Sequence, residues 1–303
     1  MKADIALVTE RRYTAAAAPP DDWYLANILE DDGLLAEALA ERGLSSRRVA
    51  WCDPNVDWSS FRAGVLRSTW DYFHRFDEFV GWMDRVERLT RWYNEWPTVR
   101  WNLDKHYLAD LQARGVRVVP TRFLERGDET PLTSILTELD CREAVIKPCV
   151  SGAARHTHRV SRENATLIDA QLAQLRMDEA FLVQPFQHSI QTEGERSLMV
   201  FDGRCTHAVR KRAKAGDFRV QDDHGGTVHE HPPTSAEAAL AERAAAECTP
   251  LPAYARVDLV TDNEGALAVM ELELIEPELW LRRSRDAARA FASAVARRVA
   301  NAS

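Results

Sequence analysis

Residues 256–276 (RVDLVTDNEGALAVMELELIE) have the pattern of a β-hairpin with acidic residues on one face. Two runs alternate apolar and polar residues, and a turn-forming stretch separates them. Side chains two positions apart on a strand share a face, so Glu271 and Glu273 point the same way. Pairing near Leu259 brings Asp258 to that face. Three carboxylates repel each other unless a cation lies between them, and Mg²⁺ prefers such oxygen ligands, although a solvated acidic face explains these residues equally well.

The composition is that of a globular protein with about two domains. Of 303 residues, 45% are hydrophobic and 28% are charged, which allows sizeable cores. A net charge of −8 argues against nucleic acid as a partner. We expect neither a signal peptide nor a membrane span, because charged residues interrupt every long apolar run. Five scattered cysteines without C-x-x-C spacing indicate a reduced, cytoplasmic protein.

The first hundred residues alternate strand and helix patterns, which is typical of an α/β domain with a parallel sheet. Strands are expected at 3–9, 47–51 and 64–67, and a helix at 31–42. Ligands of such sheets bind at the carboxyl ends of the strands. The segment after the third strand is therefore a candidate substrate loop.

This candidate substrate loop reads R-S-T-W-D-Y (67–72), and its polar members are Arg67, Ser68, Thr69 and Asp71. The same residues also suit the start of a helix, with Ser68 or Thr69 as N-cap and Asp71 in the first turn. Both interpretations remain open at the level of sequence.

Lysine is rare, with five lysines against 34 arginines, so its positions are informative. Lys105 lies near the start of a helix expected at 102–114. Lys147 lies in an apolar strand (144–148) and is followed by small residues that end in Arg155. A lysine in a strand needs an anionic partner, and the amides of such a loop can line an anion, which together predict a phosphate cradle. The spacing is neither that of a Walker A loop nor that of a G-x-G-x-x-G fingerprint.

The order of these features resembles the ATP-grasp superfamily, in its glutathione-synthetase-like branch, over residues 102–280. A helix-start lysine and a strand lysine come first, followed by a small-residue loop, a Gln-Pro strand end, a G-E-R strand, a G-D-F-R turn and the acidic hairpin. The phrases R-S-T-W-D-Y, V-R-W-N-L-D-K, L-V-Q-P-F, G-D-F-R-V-Q and E-L-E-L-I-E-P-E-L are similar to those of the cycloserine-synthetase-like group.

The resemblance implies an α/β fold in which an N-terminal parallel-sheet domain precedes a two-lobed ATP-grasp fold. The expected domains are a substrate domain at 1–101, a small lobe or lid at 102–186, and a large lobe with the magnesium site at 187–303.

The resemblance also implies ATP and Mg²⁺ as cofactors, with a role for each site residue. The residues expected to bind ATP are Lys105, Lys147, Ser151, Gly152, Ala153, Gln184, Phe186 and Arg210, with either Glu193 or Glu195 at the ribose. The residues expected to stabilise the transferred phosphoryl group are Arg219, Arg212 and Arg155. The expected magnesium ligands are Asp258, Glu271 and Glu273. Many relatives have asparagine at the last position, so Glu273 adds a negative charge to the site.

The implied activity is that of a ligase that converts a carboxyl group of an amino-acid-like small molecule into an acyl-phosphate and then joins it to an amine. Such enzymes often form dimers or tetramers, so a homo-oligomer is compatible with this resemblance. One alternative is intramolecular cyclisation of an O-ureido-serine-like substrate, as in antibiotic biosynthesis by the cycloserine group. Another is a nucleotide-binding pseudoenzyme. The pairs His156/His158 and His229/His231 suggest a zinc site less strongly, and no hydrolase motif occurs.

Overall fold

In the computed structural model, which describes residues 3–214, 216–217, 219–220 and 225–301, the strands form three sheets. Phe218 and Gln221 of the G-D-F-R-V-Q phrase lie outside the described residues.

The first unit is an α/β layer with a parallel sheet, as predicted. Its elements are β1 (Ile5–Thr9), α1 (Trp23–Ala40), β2 (Ser46–Ala50), β3 (Ala63–Ser68), α2 (Phe76–Val86) and β4 (Arg91–Trp92). The strand order is β2–β1–β3–β4, and the paired strands run parallel. The helix predicted at 31–42 begins earlier, at Trp23, because the Asp22 side chain caps it by accepting a hydrogen bond from the Leu25 amide at 2.9 Å.

The second unit is an antiparallel sheet with helices beside it. Its elements are α3 (Trp96–Asn102), α4 (Tyr107–Ala113), β5 (Arg122–Leu124), α5 (Leu132–Glu138), β6 (Glu143–Pro148), β7 (His158–Ser161), α6 (Ala165–Asp178) and β8 (Phe181–Pro185). The strand order is β5–β8–β6–β7. The predicted continuous helix at 102–114 is wrong, because the chain breaks between α3 and α4. At that break the Lys105 amide donates to the Cys149 carbonyl at 3.0 Å instead of to a helical carbonyl.

The third unit contains the hairpin. Its elements are α7 (Ser189–Thr192), β9 (Glu195–Phe201), β10 (Arg204–Arg212), β11 (Thr227–His231), α8 (Ser235–Ala246), β12 (Tyr254–Thr261), β13 (Leu267–Glu273) and α9 (Arg285–Asn301). The strand order is β11–β10–β9–β12–β13. Strands β12 and β13 form the predicted antiparallel hairpin, in which Asp258 lies opposite Glu271 and a bulge follows at Leu259.

Buried hydrogen bonds join the first and third units. The Tyr254 hydroxyl, on β12, donates to the Leu66 carbonyl at the end of β3 and to the Ile275 carbonyl, at 3.0 and 2.8 Å. The Asn94 amide donates to the Tyr254 and Leu274 carbonyls at 2.9 and 2.7 Å. The carboxyl end of the parallel sheet is thereby held against the end of the hairpin. In the described part of the chain, every helix is too short or too polar to cross a membrane.

Candidate active site

A cavity of about 580 Å³ lies where the three sheets meet. Its volume is within the range of small-molecule sites, roughly 300–1,000 Å³. Its walls come from the loops after β1 and β3, from β6 and the small-residue loop that follows it, from the end of β8, and from the hairpin. All three units thus contribute to one site.

Two lysines and a glutamate form an ion-pair bridge across this cavity. The Glu271 carboxylate lies 3.1 Å from the Lys105 ammonium and 3.0 Å from the Lys147 ammonium. Burial raises the pKa of Glu271, but the two lysines outweigh this and hold it well below its ordinary value. The ammonium of Lys105 also donates to the Ser151 carbonyl at 2.7 Å. Both predicted phosphate-binding lysines therefore lie beside a predicted magnesium ligand.

A second charged group lies beside the first, on β9, β10 and β12. The Lys211 ammonium contacts Glu195 at 2.5 Å and Asp258 at 3.4 Å. The Arg256 guanidinium lies 2.8 Å from Asp258 and also pairs with Glu273. This arrangement follows from the strand pairing, which places Lys211 opposite Glu195 and Arg256 opposite Glu273.

Negative charge is in excess at the end of the hairpin. Burial raises the pKa of Glu273 to about 7, and the nearby carboxylates of Asp258 and Glu271 contribute, although Arg256 opposes them. Burial and the neighbouring Glu273 raise the pKa of Glu276 well above its usual value. A divalent cation would remove this excess, so the carboxylates have the chemistry that Mg²⁺ requires.

The predicted trio is not gathered into a single coordination cluster. Each of Asp258, Glu271 and Glu273 pairs with a lysine or arginine. Among the described residues, a set of candidate ligand atoms within 4.8 Å of one another occurs at Asp104, His106 and Cys149. Neither predicted histidine pair forms such a set in this part of the chain.

The small-residue loop covers one end of the cavity. Ser151, Gly152 and Ala153 line it, as we expected for a phosphate-binding loop. Arg155 does not line it, because its guanidinium forms two bonds of 2.9 and 2.6 Å with the Glu179 carboxylate. The structure therefore separates Arg155 from the other predicted phosphate-binding groups.

The residues predicted to contact adenine lie at the end of β8 and just after it. Gln184 and Phe186 both line it, and the Gln184 amide donates to the Thr121 hydroxyl at 3.0 Å. The Phe186 amide is used within the protein, since it donates to the Glu143 carbonyl at 2.9 Å. Gln187, which the sequence analysis did not single out, is buried and also lines the cavity.

The two glutamates considered for the ribose differ in position. Glu195 lines the cavity and pairs with Lys211. Glu193 lies outside the lining, where its carboxylate accepts a hydrogen bond from the Thr261 hydroxyl at 2.9 Å. The geometry thus leaves Glu195 as the candidate inside the cavity.

Of the three predicted basic residues on and after β10, one reaches the cavity. Arg219 lines it and pairs with Asp217 at 2.8 Å. Arg210, which was predicted to bind ATP, lies outside the cavity lining, because its side chain is on the opposite face of the sheet from Lys211, with its guanidinium 3.1 Å from the His231 ring. Arg212, at the exposed end of β10, does not line the cavity either.

The candidate substrate loop reaches the cavity through residues other than its predicted members. Arg67 pairs with Asp32 at 2.9 Å, and the hydroxyl of Ser68 bonds to that of Thr9 at 2.6 Å. Both lie inside the first unit and outside the cavity lining.

Thr69 and Asp71 are also directed away from the cavity. Thr69 is fully buried, and the Asp71 carboxylate accepts a hydrogen bond from the Trp51 indole at 2.7 Å. Neither Ser68 nor Thr69 is an N-cap, as the alternative predicted, since a 3-10 turn covers Tyr72–His74 with Asp71 at its N-cap position and α2 begins only at Phe76. Arg67, Ser68 and Asp71 are thus bonded to other groups of the N-terminal unit, and none of the four side chains lines the cavity.

Mainly aromatic side chains of the N-terminal unit line the cavity in place of the four predicted polar residues. The residues from the first unit that line the cavity are Arg12, Tyr13, Tyr24, Trp70, Tyr72, Phe73 and His74. The indole of Trp70 donates to the Glu276 carbonyl at 2.8 Å, which fixes this wall against the hairpin. The high aromatic content after β3 was visible in the sequence, but the polar residues between the aromatic ones were predicted to contact the substrate.

Family models match both halves of the chain. The model of the N-terminal domain of D-cycloserine synthetase DcsG matches residues 5–94, and the RimK-like ATP-grasp domain matches residues 154–279. The chain is 36% identical over 284 residues to the cycloserine biosynthesis protein DcsG of Streptomyces lavendulae, covering 88% of this chain and 92% of that protein. This chain belongs to the DcsG family of ATP-grasp ligases. The resemblance stated from the sequence is therefore confirmed.

Solved structures agree with this assignment to the DcsG family. The crystal structure of D-cycloserine synthetase DcsG is similar with a TM-score of 0.82 and 34% identity, over 97% of this chain and 99% of that chain. The ATP-grasp ligase PsnB, complexed with a variant of its minimal precursor, Mg and ADP, is similar with a TM-score of 0.65 and 15% identity, over 98% and 99% of the two chains. The second likeness concerns the fold alone. The chain is an ATP-dependent enzyme of the ligase type.

Proposed function

We propose that this DcsG-family ligase uses ATP to activate the carboxyl group of a small amino-acid-like substrate and then closes a ring within that molecule. The observation that carries the proposal is the bridge of Lys105, Glu271 and Lys147 in a cavity that also has a wall from the N-terminal unit. The 36% identity to the cycloserine biosynthesis protein supports cyclisation of an O-ureido-serine-like compound over amide formation with a separate amine.

The reaction would proceed in two displacements. A carboxylate oxygen of the substrate attacks the γ-phosphorus of ATP, the bond to the bridging oxygen breaks, and ADP leaves. A nitrogen of the same substrate then attacks the acyl carbon, the bond to the phosphate oxygen breaks, and phosphate leaves with the electron pair. The nitrogen releases its proton, so the products are a cyclic amide, ADP and phosphate.

The residues of the chain position these groups and balance their charge. Phosphate oxygens compete with Glu271 for the ammonium groups of Lys105 and Lys147, and Arg219 adds a further cation at the cavity wall. Asp258, Glu271 and Glu273 would hold Mg²⁺, which when bound neutralises phosphate charge.

The size and walls of the cavity fit a small second substrate. A nucleoside triphosphate would occupy much of the 580 Å³. The remainder faces the aromatic wall and the acidic end of the hairpin, where Glu276 and Glu278 are suited to bind an ammonium group. We therefore expect an amino-acid-sized molecule and not a peptide.

The test is an assay of ATP consumption with single amino-acid derivatives, including O-ureido-serine, with and without a second amine. We expect ADP release with one substrate alone, a product whose mass corresponds to ring closure, and loss of turnover when EDTA is added. Turnover that requires a second amine would favour amide ligation. Binding of ATP in calorimetry without ADP release for any compound of this class would contradict the proposal.

A further inference from the structure

We propose that Phe73 is a positioning residue against which the small-residue loop (residues 149–155) closes, and that Gly152 must lack a side chain for this closure. Phe73 follows β3 in the N-terminal unit, whereas Gly152 follows β6 in the second unit. Their contact would link the substrate wall of the cavity to its phosphate end.

The contact leaves no space for a side chain on Gly152. A Cβ built there would lie 2.6 Å from Cε1 and 2.9 Å from Cδ1 of the Phe73 ring. Carbon atoms without a bond between them prefer separations of about 3.5–4.0 Å. Alanine at this position would therefore displace either the ring or the loop.

The ring of Phe73 cannot move aside easily. It is 7% exposed and lies edge-on to the Tyr72 ring, with centroids 5.6 Å apart. The ring of His74 is a second neighbour, at 4.4 Å between centroids. Since the Phe73 ring is buried and contacts two other rings, we expect the loop to be the part that shifts.

Backbone conformation does not explain the glycine. The φ of Gly152 is not in the left-handed region, so any residue could adopt its backbone conformation. Ala153 and Ala154, by contrast, adopt positive φ values of 48° and 55° without being glycine. The close approach of Phe73 is thus the constraint specific to position 152.

The loop is held from a second side by Lys105. The Lys105 amide donates to the Cys149 carbonyl at 3.0 Å, and its ammonium donates to the Ser151 carbonyl at 2.7 Å. The loop thus lies between a lysine proposed to bind phosphate and an aromatic ring of the substrate wall. A substrate packed against Trp70 and Tyr72 would fix Phe73, and with it the position of the loop.

The experiment compares Gly152→Ala, Phe73→Ala, the double variant and wild type. We expect Gly152→Ala to lower kcat by about 10²-fold, the scale of a displacement of about 1 Å in an active site, while Tm stays unchanged. The double variant should be more active than Gly152→Ala, because removal of the ring restores the space. The control is Gly33→Ala, in α1, where a Cβ meets nothing within 4 Å; it should match wild type.

The expected loss of kcat rests on the proposed function, but the contact between Phe73 and Gly152 does not. A second measurement, ATP affinity by calorimetry, therefore tests the inference independently. ATP should bind more weakly to Gly152→Ala than to wild type and recover in the double variant, whether or not the true substrate is known. Wild-type affinity and kcat in Gly152→Ala would overturn the inference. So would a double variant no better than Gly152→Ala, since glycine would then be needed for a reason other than Phe73.

Discussion

The two faces of β9, β10 and β12 carry similar charges but differ in what those charges contact. On the cavity face, Lys211 contacts Glu195 and Asp258 beside an open volume. On the opposite face, α8 covers the strands, and the Glu237 carboxylate lies 3.3 Å from Arg196 and 3.0 Å from the His231 ring. The first set borders a site, and the second set is enclosed by protein.

Glu237, in the set of charges enclosed by protein, also caps the N-terminus of α8. Glu237 accepts a hydrogen bond from the Thr234 amide at 2.8 Å, and the Thr234 hydroxyl accepts one from the Glu237 amide, which together form a capping box. Glu237 is 3% exposed. We infer from this difference that charge on the helix face stabilises the fold, and we propose that the excess negative charge on the cavity face binds a ligand.

The largest expected effect is on catalysis from the cavity face. Lys147→Ala and Glu271→Gln should each lower the rate of ADP release by about 10²–10³-fold, because the first removes one lysine of the bridge and the second neutralises its central carboxylate. The matched control is Arg210→Ala, a cation on β10 of the same sheet as Glu271, whose guanidinium lies 3.1 Å from the His231 ring and outside the cavity lining. It should keep the wild-type rate, and equal losses in all three variants would break the comparison.

The position of Arg210 shows what the sequence could and could not specify. The hairpin, the parallel sheet and the order of lysines, loop and acids were readable from alternation and spacing. The face of each arginine was not, because R-K-R at 210–212 places its charges on alternate sides and only strand pairing assigns the sides. Lys211, which was not among the predicted site residues, does line the cavity.

The aromatic wall and the packing of Phe73 on Gly152 could not be predicted for a related reason. They depend on contacts between segments far apart in the chain, such as Phe73 with Gly152 and Trp70 with Glu276, the latter 206 residues apart. Periodicity reports which residues share a face of one element, but not which element packs against that face. The four polar members of the substrate loop were plausible for their chemistry, yet Arg67, Ser68 and Asp71 are bonded within the N-terminal unit and Thr69 is buried.

The next effect is on stability, from the helix face. Glu237→Ala should lower the free energy of unfolding by about 3 kcal/mol, since it leaves Arg196 and a helix N-terminal amide without their buried partner. Chemical denaturation measures this, and the kcat of the folded variant should equal that of wild type. The control is Glu247→Ala on the exposed Arg243 pair at 2.6 Å, where the expected loss is only about 0.3–0.5 kcal/mol. Equal losses would show that the helix-face cluster has no special role.

The smallest expected effect is the pH dependence of stability that Glu237 contributes on the helix face. Although burial opposes it, hydrogen bonds from Thr234 and His231 lower the pKa of Glu237 below 4.5. A carboxyl group whose pKa is lowered on folding contributes stability that is present above its unfolded pKa and is lost as pH falls through its folded pKa. Unfolding free energies of wild type and Glu237→Gln should therefore differ most above about pH 4.5 and converge in stronger acid. Glu247→Gln should follow the wild-type curve throughout, and a difference between wild type and Glu237→Gln that stays constant down to low pH would show that Glu237 acts through shape and not through its charge.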